Sequence, residues 1–220
     1  MKKYVTYLTT ALLLSVCAFS SNAALIVNNS FLANDLELTE SFEDFYDYGN
    51  LFKASSNTGF ELNNTLVLMI VSFDGDFGLV GLMDKLDSTG GGMTIALTDD
   101  STTQGAFTLY DDPKETGTTS GNTITSKWNW GEGFTDGFVY TFGDITDVDV
   151  TLDFTIKSGI SDIVFYDFDG STQLINVTGP NLSLSNAVDP TLVSVSTPNS
   201  MLITILALSL LLMRKFKTKS

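Results

Sequence analysis

The middle of the chain contains short segments in which apolar and polar residues alternate. In the clearest one, residues 148–156 (VDVTLDFTI), apolar side chains fall on one face and Asp and Thr side chains on the other. This period-two pattern is typical of a half-buried strand. Residues 65–73 (TLVLMIVSF) are apolar almost throughout, which predicts a central strand buried on both faces.

Turn-forming residues separate these segments from others of the same kind. Clusters of Gly, Asp, Asn, Ser and Pro bound the segments, and the predicted additional strands are 34–42, 93–98, 105–110, 122–128, 137–142, 161–167, 171–177 and 181–188. Residues 79–86 (LVGLMDKL) favour a short helix, which Gly81 weakens. Many short strands with almost no helix predict an all-β fold, an antiparallel, jelly-roll-like β-sandwich spanning residues 24–190.

Charge and residue types exclude several classes of function. Residues 24–198 contain five lysines and 26 acidic residues, a net charge of −21, so nucleic acid is not an expected partner. The acidity suits cation binding and simple solubility equally well. The chain has no histidine, and its single cysteine is Cys17. Cys–His and Ser–His–Asp catalysis and the common zinc sites are therefore not expected.

The first 23 residues have the features of a secretory signal peptide. Lys2 and Lys3 precede a short apolar stretch, and Ser-Asn-Ala at 21–23 predicts cleavage between Ala23 and Ala24. The apolar stretch is shorter than the roughly 20 residues that a membrane span needs. The alternative is a lipoprotein signal, because residues 14–17 (LSVC) form a degraded lipobox.

The end of the chain has three parts. Residues 191–200 (TLVSVSTPNS) form a small, polar spacer, residues 201–213 (MLITILALSLLLM) are apolar, and residues 214–220 form a basic tail. The apolar part predicts a membrane helix of marginal length. The basic cluster prefers the cytoplasmic side, which would leave the rest of the protein outside.

This tail, combined with the N-terminal signal, resembles that of the PEP-CTERM proteins of Gram-negative bacteria. Thr197, Pro198 and Asn199 stand where the family has its Pro-Glu-Pro core, and Arg214 and Lys215 begin the basic cluster. The resemblance implies processing by an exosortase-like enzyme and membrane insertion through the C-terminal helix. It also implies a location at the cell surface, at the outer membrane or outside the cell, and a link to biofilm exopolysaccharide. A plain C-terminal membrane anchor is the alternative.

Two Asp-rich turns are candidate calcium sites. Asp74 and Asp76 (FDGDFG) and Asp167 and Asp169 (YDFDG) each form a D-x-D core next to a glycine. Calcium takes about six to eight oxygen ligands, and closely spaced carboxylates supply several of them. Neither segment completes an EF-hand loop, and Asp-Gly is also ordinary turn chemistry. Calcium is therefore a possible cofactor on this pattern, with a plain turn as the alternative.

Aromatic residues provide a candidate carbohydrate site. Trp128 and Trp130 fall on one face of a predicted strand, with Asn129 and Glu132 nearby. Two indoles on one face can stack on sugar rings, whereas core burial is the commoner position for tryptophan.

These features together predict an exported, non-catalytic domain that binds matrix polysaccharide. A secreted glycoside hydrolase is the first alternative, with paired carboxylates drawn from Glu43, Asp44 and Asp47. A purely structural surface protein is the second.

Overall fold

The computed structural model describes residues 25–47, 56–85, 88–112, 115, 117–168 and 173–186. The predicted signal peptide with Ala23 and Ala24, the calcium candidate Asp169, and the predicted tail from 191 to 220 lie outside these residues. The elements that the described residues form are α1 (Phe42–Tyr46), β1 (Leu25–Val27), β2 (Phe31–Ala33), β3 (Leu36–Glu37), β4 (Thr65–Phe73), β5 (Asp76–Met83), β6 (Gly91–Asp99), β7 (Ala106–Tyr110), β8 (Thr118–Ser120), β9 (Thr123–Trp130), β10 (Asp136–Thr141), β11 (Asp149–Ser158), β12 (Asp162–Asp167), β13 (Gln173–Asn176) and β14 (Asn181–Asn186).

The strands form two sheets. The first has the order β2-β1-β14-β11-β6-β9-β8, and every pair in it is antiparallel. The second has the order β13-β12-β4-β5-β10-β7, with β3 also pairing with β4. Both β3 and β12 run parallel to β4. The all-β prediction is confirmed, and the second sheet is mixed rather than purely antiparallel.

Apolar side chains cover both faces of the second sheet. Leu66, Leu68 and Ile70 of β4 belong to the core shared by the two sheets. Val67 and Met69 point the other way, into a second apolar layer that also holds side chains of α1 and of the 60–62 segment. The prediction that 65–73 is buried on both faces is confirmed. A strand can be apolar on both of its faces only where other parts of the protein cover both faces of its sheet.

Three sequence predictions differ from the structure. The helix predicted at 79–86 is wrong, because residues 76–83 form β5 and pair with β4 in a tight hairpin. The strand predicted at 34–42 is two residues of β3 followed by a turn into α1. β1, β2 and β8 were not predicted, because three-residue strands are too short for a period-two pattern to emerge. In the described ranges, no helix has the length and apolarity needed to cross a membrane.

Candidate functional site

A pocket of about 290 Å³ lies where the β9–β10 connection meets the chain that follows β7. We call it the β9–β10 pocket. Apolar and polar side chains share its wall, as is typical of small-molecule sites. The lining residues are Asp111, Asp112, Asn129, Trp130, Gly131, Phe134, Thr135 and Asp136.

Phe134 is the exposed aromatic ring of this pocket. The turn that carries it contains Gly133 with φ 78°, and the Phe134 N–H donates to the Gly131 carbonyl at 3.2 Å. This turn directs the ring outward, leaving the residue 48% exposed. Sequence analysis missed Phe134. The available signal was an aromatic residue directly after a glycine-rich turn, Gly131-Glu132-Gly133.

Trp128 and Trp130 lie in the core. Trp128 has no exposed surface, and its ring centroid is 5.4 Å from that of Phe138 and 6.5 Å from that of Tyr110. Trp130 is 6% exposed, and its indole N–H donates to Asp84 Oδ2 at 3.0 Å. Neither indole has a face open to a sugar ring. The structure therefore places both tryptophans in the core rather than on a sugar-binding face. Trp130 contributes to the β9–β10 pocket only as part of its wall.

Three carboxyl groups lie buried beside the pocket, and we call them the acid cluster: Asp111, Glu115 and Asp136. Their exposed fractions are 2%, 7% and 3%. The phenol of Tyr46, on α1, donates to Asp111 Oδ2 at 2.8 Å. Asp111 Oδ1 is buried and receives no hydrogen bond.

Glu115 and Asp136 face each other within the acid cluster. Each carboxyl contributes to the pKa of the other. Asp136 Oδ1 accepts from the Gly137 N–H at 2.8 Å, whereas Oδ2 meets no N–H or O–H donor. Glu115 Oε1 accepts from the Asn129 N–H at 3.2 Å. β8 and β9 separate the two acids in sequence, so their contact was not visible there.

Burial raises the pKa values of the acid cluster. Burial, followed by the charge of Glu115, raises the pKa of Asp136 to about 10. Burial also raises the pKa of Asp111 to about 7, although its hydrogen bond from Tyr46 acts in the opposite direction. The pKa of Glu115 is raised for the same main reason, burial. The cluster therefore holds protons at a pH where exposed carboxyls have lost them.

Asp99 is another buried aspartate, and it has more hydrogen-bond donors than any member of the acid cluster. Asp99 accepts from the N–H groups of Ser101 and Gly105, at 2.9 and 2.7 Å, and from the Tyr140 hydroxyl at 2.5 Å. Burial acts to raise the pKa of Asp99, but hydrogen bonds, first from Ser101 and Tyr140, outweigh it and lower the pKa. A buried carboxylate is stable as an ion when several donors surround it, and the acid cluster does not meet that condition.

The three candidate calcium residues that the structure describes, Asp74, Asp76 and Asp167, lie in two separate places. Asp74 and Asp76 are exposed in the β4–β5 hairpin, whose central residues Asp74 and Gly75 have φ values of 51° and 91°, as a type I′ turn requires. Asp167 is buried, and its Oδ1 accepts from the backbone and side-chain amides of Asn34 at 3.0 and 2.9 Å. No group of three or more Asp, Glu, Cys or His side chains that could hold a metal ion occurs among the residues the structure describes. Calcium binding remains a prediction.

The candidate hydrolase residues belong to α1 and its caps. The Asp44 N–H donates to Ser41 Oγ at 3.2 Å, and that hydroxyl donates to Asp44 Oδ2 at 2.7 Å, an N-cap arrangement. Asp47 ends the helix with φ 57° and accepts from Asn57 Nδ2 at 3.2 Å. Glu43 lines a second, larger groove of about 570 Å³ together with Asp76. Asp44 and Asp47 therefore have structural partners, and Glu43 lies on a groove wall.

No protein-family model, curated protein or solved structure matches this chain. Fold and geometry together define an acidic, two-sheet all-β protein. Its most site-like feature is a small pocket with an exposed aromatic ring at its rim and buried carboxyl groups beside it.

Proposed function

We propose that this protein is an exported, non-catalytic β-sandwich of jelly-roll type that binds a neutral polysaccharide at the β9–β10 pocket. The observation that carries the proposal is the half-exposed ring of Phe134 at the rim of a pocket whose other exposed side chains are polar. A flat apolar ring beside hydrogen-bonding groups complements a sugar, which has an apolar face and hydroxyl edges.

Polar side chains beside Phe134 supply the hydrogen bonds in this proposal. Asn129 and Asp112 line the same pocket and are exposed. The amide both donates and accepts, and the carboxylate accepts from a hydroxyl. Such groups fix the orientation of a ligand whose apolar face lies on the ring.

The charge of the domain favours a neutral glycan over an anionic one. With five lysines and 26 acidic residues between 24 and 198, the domain repels an anionic polymer as it approaches, most strongly at low salt. A neutral polysaccharide meets no such barrier, so it is the polymer class we propose.

The glycoside hydrolase remains the second candidate because Asp111 and Asp136 line one pocket and both have raised pKa values. A pKa of about 7, as for Asp111, suits a general acid. However, the oxygens of these two groups that receive no hydrogen bond are buried. A catalytic carboxyl must reach the glycosidic oxygen, and this burial supports a binding role instead.

Export and sorting complete the proposal. The signal peptide at 1–23 and the three-part tail, with Thr197-Pro198-Asn199, an apolar segment and Arg214-Lys215, support secretion followed by PEP-CTERM-like processing by an exosortase-like enzyme. The mature domain then lies at the cell surface or in the extracellular matrix, where neutral polysaccharide is available to it.

Affinity electrophoresis of the full chain tests the binding site. We expect gels cast with one of a panel of neutral polysaccharides to retard the wild type, and Phe134→Ala to lose most of that retardation because the stacking surface is gone. Leu174→Ala is the matched control, since Leu174 is 50% exposed but lies on β13, outside the pocket lining. Unchanged wild-type mobility across the whole panel, or retardation of Phe134→Ala equal to the wild type, would refute the proposal.

The same polymers separate binding from hydrolysis. A non-catalytic module releases no reducing ends on prolonged incubation. Release that disappears in Asp136→Asn would establish the hydrolase instead. Retardation without release supports the binding module.

A further inference from the structure

The larger groove, of about 570 Å³, lies where α1, the β4–β5 hairpin and β7 meet, and we call it the α1–β7 groove. β7 stands at the end of the strand order of the second sheet. The volume of the groove is in the range of small-molecule sites. The α1–β7 groove shares no lining residue with the β9–β10 pocket, so it is a separate candidate site.

A β-bulge in β7 builds one wall of this groove. Leu109 pairs with Val139 and Phe107 pairs with Tyr140, so β7 has one extra residue, Thr108, at this point. Phe107 packs in the core between the sheets, whereas Leu109 packs in the second apolar layer. The extra residue interrupts the alternation of the strand, and Thr108 and Leu109 both line the groove. Bulges recur beside functional sites because they redirect side chains in this way.

An aromatic ring and two hydroxyl groups lie close together on this face of the sheet. Gly78 of β5 lets the Phe42 ring approach, since a Cβ atom at Gly78 would be 3.5 Å from Phe42 Cε2. Thr141, the partner of Gly78 on β10, has its Oγ1 2.9 Å from Thr108 Oγ1. A hydroxyl has one donor and two acceptor sites, so this pair retains capacity to bind a ligand.

Two exposed carboxylates complete the lining. Glu43 belongs to α1 and Asp76 is the first residue of β5. Among the residues that the structure describes, neither side chain has a hydrogen-bond or ion-pair partner. Because residues 24–198 have a net charge of −21, the field of the domain attracts cations, and a groove with acidic walls concentrates that field. The Phe42 and Phe73 rings of the same lining also favour an ammonium group.

We propose that the α1–β7 groove binds an amino-sugar residue of a cationic polysaccharide. The ammonium group lies against Glu43 and Asp76, the sugar hydroxyls bind Thr108 and Thr141, and the apolar sugar face packs on Phe42. A lysine side chain would leave the hydroxyl pair unused, and a neutral sugar would leave both carboxylates unpaired. An amino sugar matches all three features of the lining. The inference extends the proposed function to a second polymer class at a second site.

Calorimetric titration of the full chain with a short glucosamine oligomer tests the site. At about pH 6 the exposed carboxylates are ionised and the amines of the oligomer are largely protonated. We expect Glu43→Gln and Asp76→Asn each to weaken binding roughly threefold, and the double variant about tenfold, since exposed ion pairs are individually weak. The charge-matched control is Asp149→Asn with Asp153→Asn, two exposed positions on β11, and it should retain the wild-type affinity. No wild-type binding, or equal weakening in the two double variants, would overturn the proposal.

Two further ligands test the chemical class. The fully N-acetylated oligomer has the same ring without the positive charge, and we expect it to bind at least about tenfold more weakly. Thr108→Val should weaken binding of the glucosamine oligomer roughly threefold and leave binding of oligolysine, which has amines without sugar hydroxyls, unchanged. Equal binding of the acetylated oligomer would overturn the assignment. So would a Thr108→Val variant that binds the glucosamine oligomer like the wild type.

The Phe134→Ala variant separates this site from the β9–β10 pocket. Phe134 does not line the α1–β7 groove, so this variant should bind the glucosamine oligomer like the wild type. Loss of that binding in Phe134→Ala would place the amino sugar at the β9–β10 pocket and overturn the proposal. A failed screen of neutral polysaccharides leaves the glucosamine titration intact, and a failed titration leaves the neutral-glycan screen intact.

Discussion

At the scale of single residues, the number of donors around each buried carboxyl separates structural aspartates from the acid cluster. Asp84 has no exposed surface and accepts three hydrogen bonds. The N–H groups of Asn64 and Lys85 donate to its Oδ1 at 2.8 and 2.9 Å, and the Trp130 indole donates to its Oδ2 at 3.0 Å. Asp84 thus ties the start of β4, the end of β5 and the end of β9 together.

Removing this carboxylate should be strongly destabilising. Asp84→Ala leaves three donors without an acceptor, each at about 1–3 kcal/mol where it remains buried. It also removes one of the side chains that best tolerates a φ of 68°, because a short polar side chain can hydrogen-bond locally in the left-handed region. We expect a loss in the free energy of unfolding on the order of 4 kcal/mol, measured by urea denaturation of the full chain.

Asp74→Ala is the matched control for the backbone contribution. Asp74 has a φ of 51° but is exposed, so its substitution loses only the preference of Asp over Ala in the left-handed region and should cost about 1 kcal/mol or less. Equal losses at the two positions would mean that the three hydrogen bonds of Asp84 contribute nothing measurable.

Sequence could predict individual residues only where the local pattern determines their position. The shared face of Trp128 and Trp130 and the apolar faces of β4 follow from alternation along one strand. The contact between Glu115 and Asp136 depends on how β8 and β9 return the chain to β10, and short-range periodicity carries no information about that. Phe134 was missed because a single aromatic residue in a turn has no periodic neighbours to compare with.

At the scale of elements, Gly81 argues against the helix predicted at 79–86 and explains the packing of β5. In a helix the glycine would be an unfavourable interior residue, whereas in β5 it lies opposite Phe138 of β10. A Cβ atom at Gly81 would lie 2.3 Å from Phe138 Cε1. The glycine therefore makes room for an aromatic ring in the core between the sheets, a recognised use of glycine within strands.

Gly81→Ala should consequently destabilise the protein through overpacking. We expect a loss of about 1–3 kcal/mol in the free energy of unfolding, because the Phe138 ring must leave its position. Gly78→Ala, on the same strand, is the control: its nearest side-chain contact would be Val139 Cγ1 at 3.3 Å, which a small shift relieves. Denaturation curves that show the Gly78 variant to be the less stable of the two would contradict this account.

At the scale of the whole molecule, the composition divides the chain into segments with different physical roles. All 26 acidic residues lie between Asp35 and Asp189, and six of the eleven basic residues lie at the two ends. The all-β fold followed from the alternation within the acidic middle. The mixed second sheet did not, because strand order depends on contacts between distant segments.

The most decisive prediction at this scale concerns the two ends. An apolar segment of 13 residues is short for a stable span of roughly 30 Å of hydrocarbon, and we propose that it holds a cleavage site at the membrane while an enzyme acts. We expect the intact mass of the native protein, taken separately from membranes and culture medium, to lack residues 1–23 and the tail beyond about Pro198. Replacing Arg214 and Lys215 with serine should leave the tail uncleaved, because the basic stop orients it. A wild-type mass that retains 201–220, found only in membranes, would instead establish a plain anchor and remove the reason for linking this domain to exopolysaccharide.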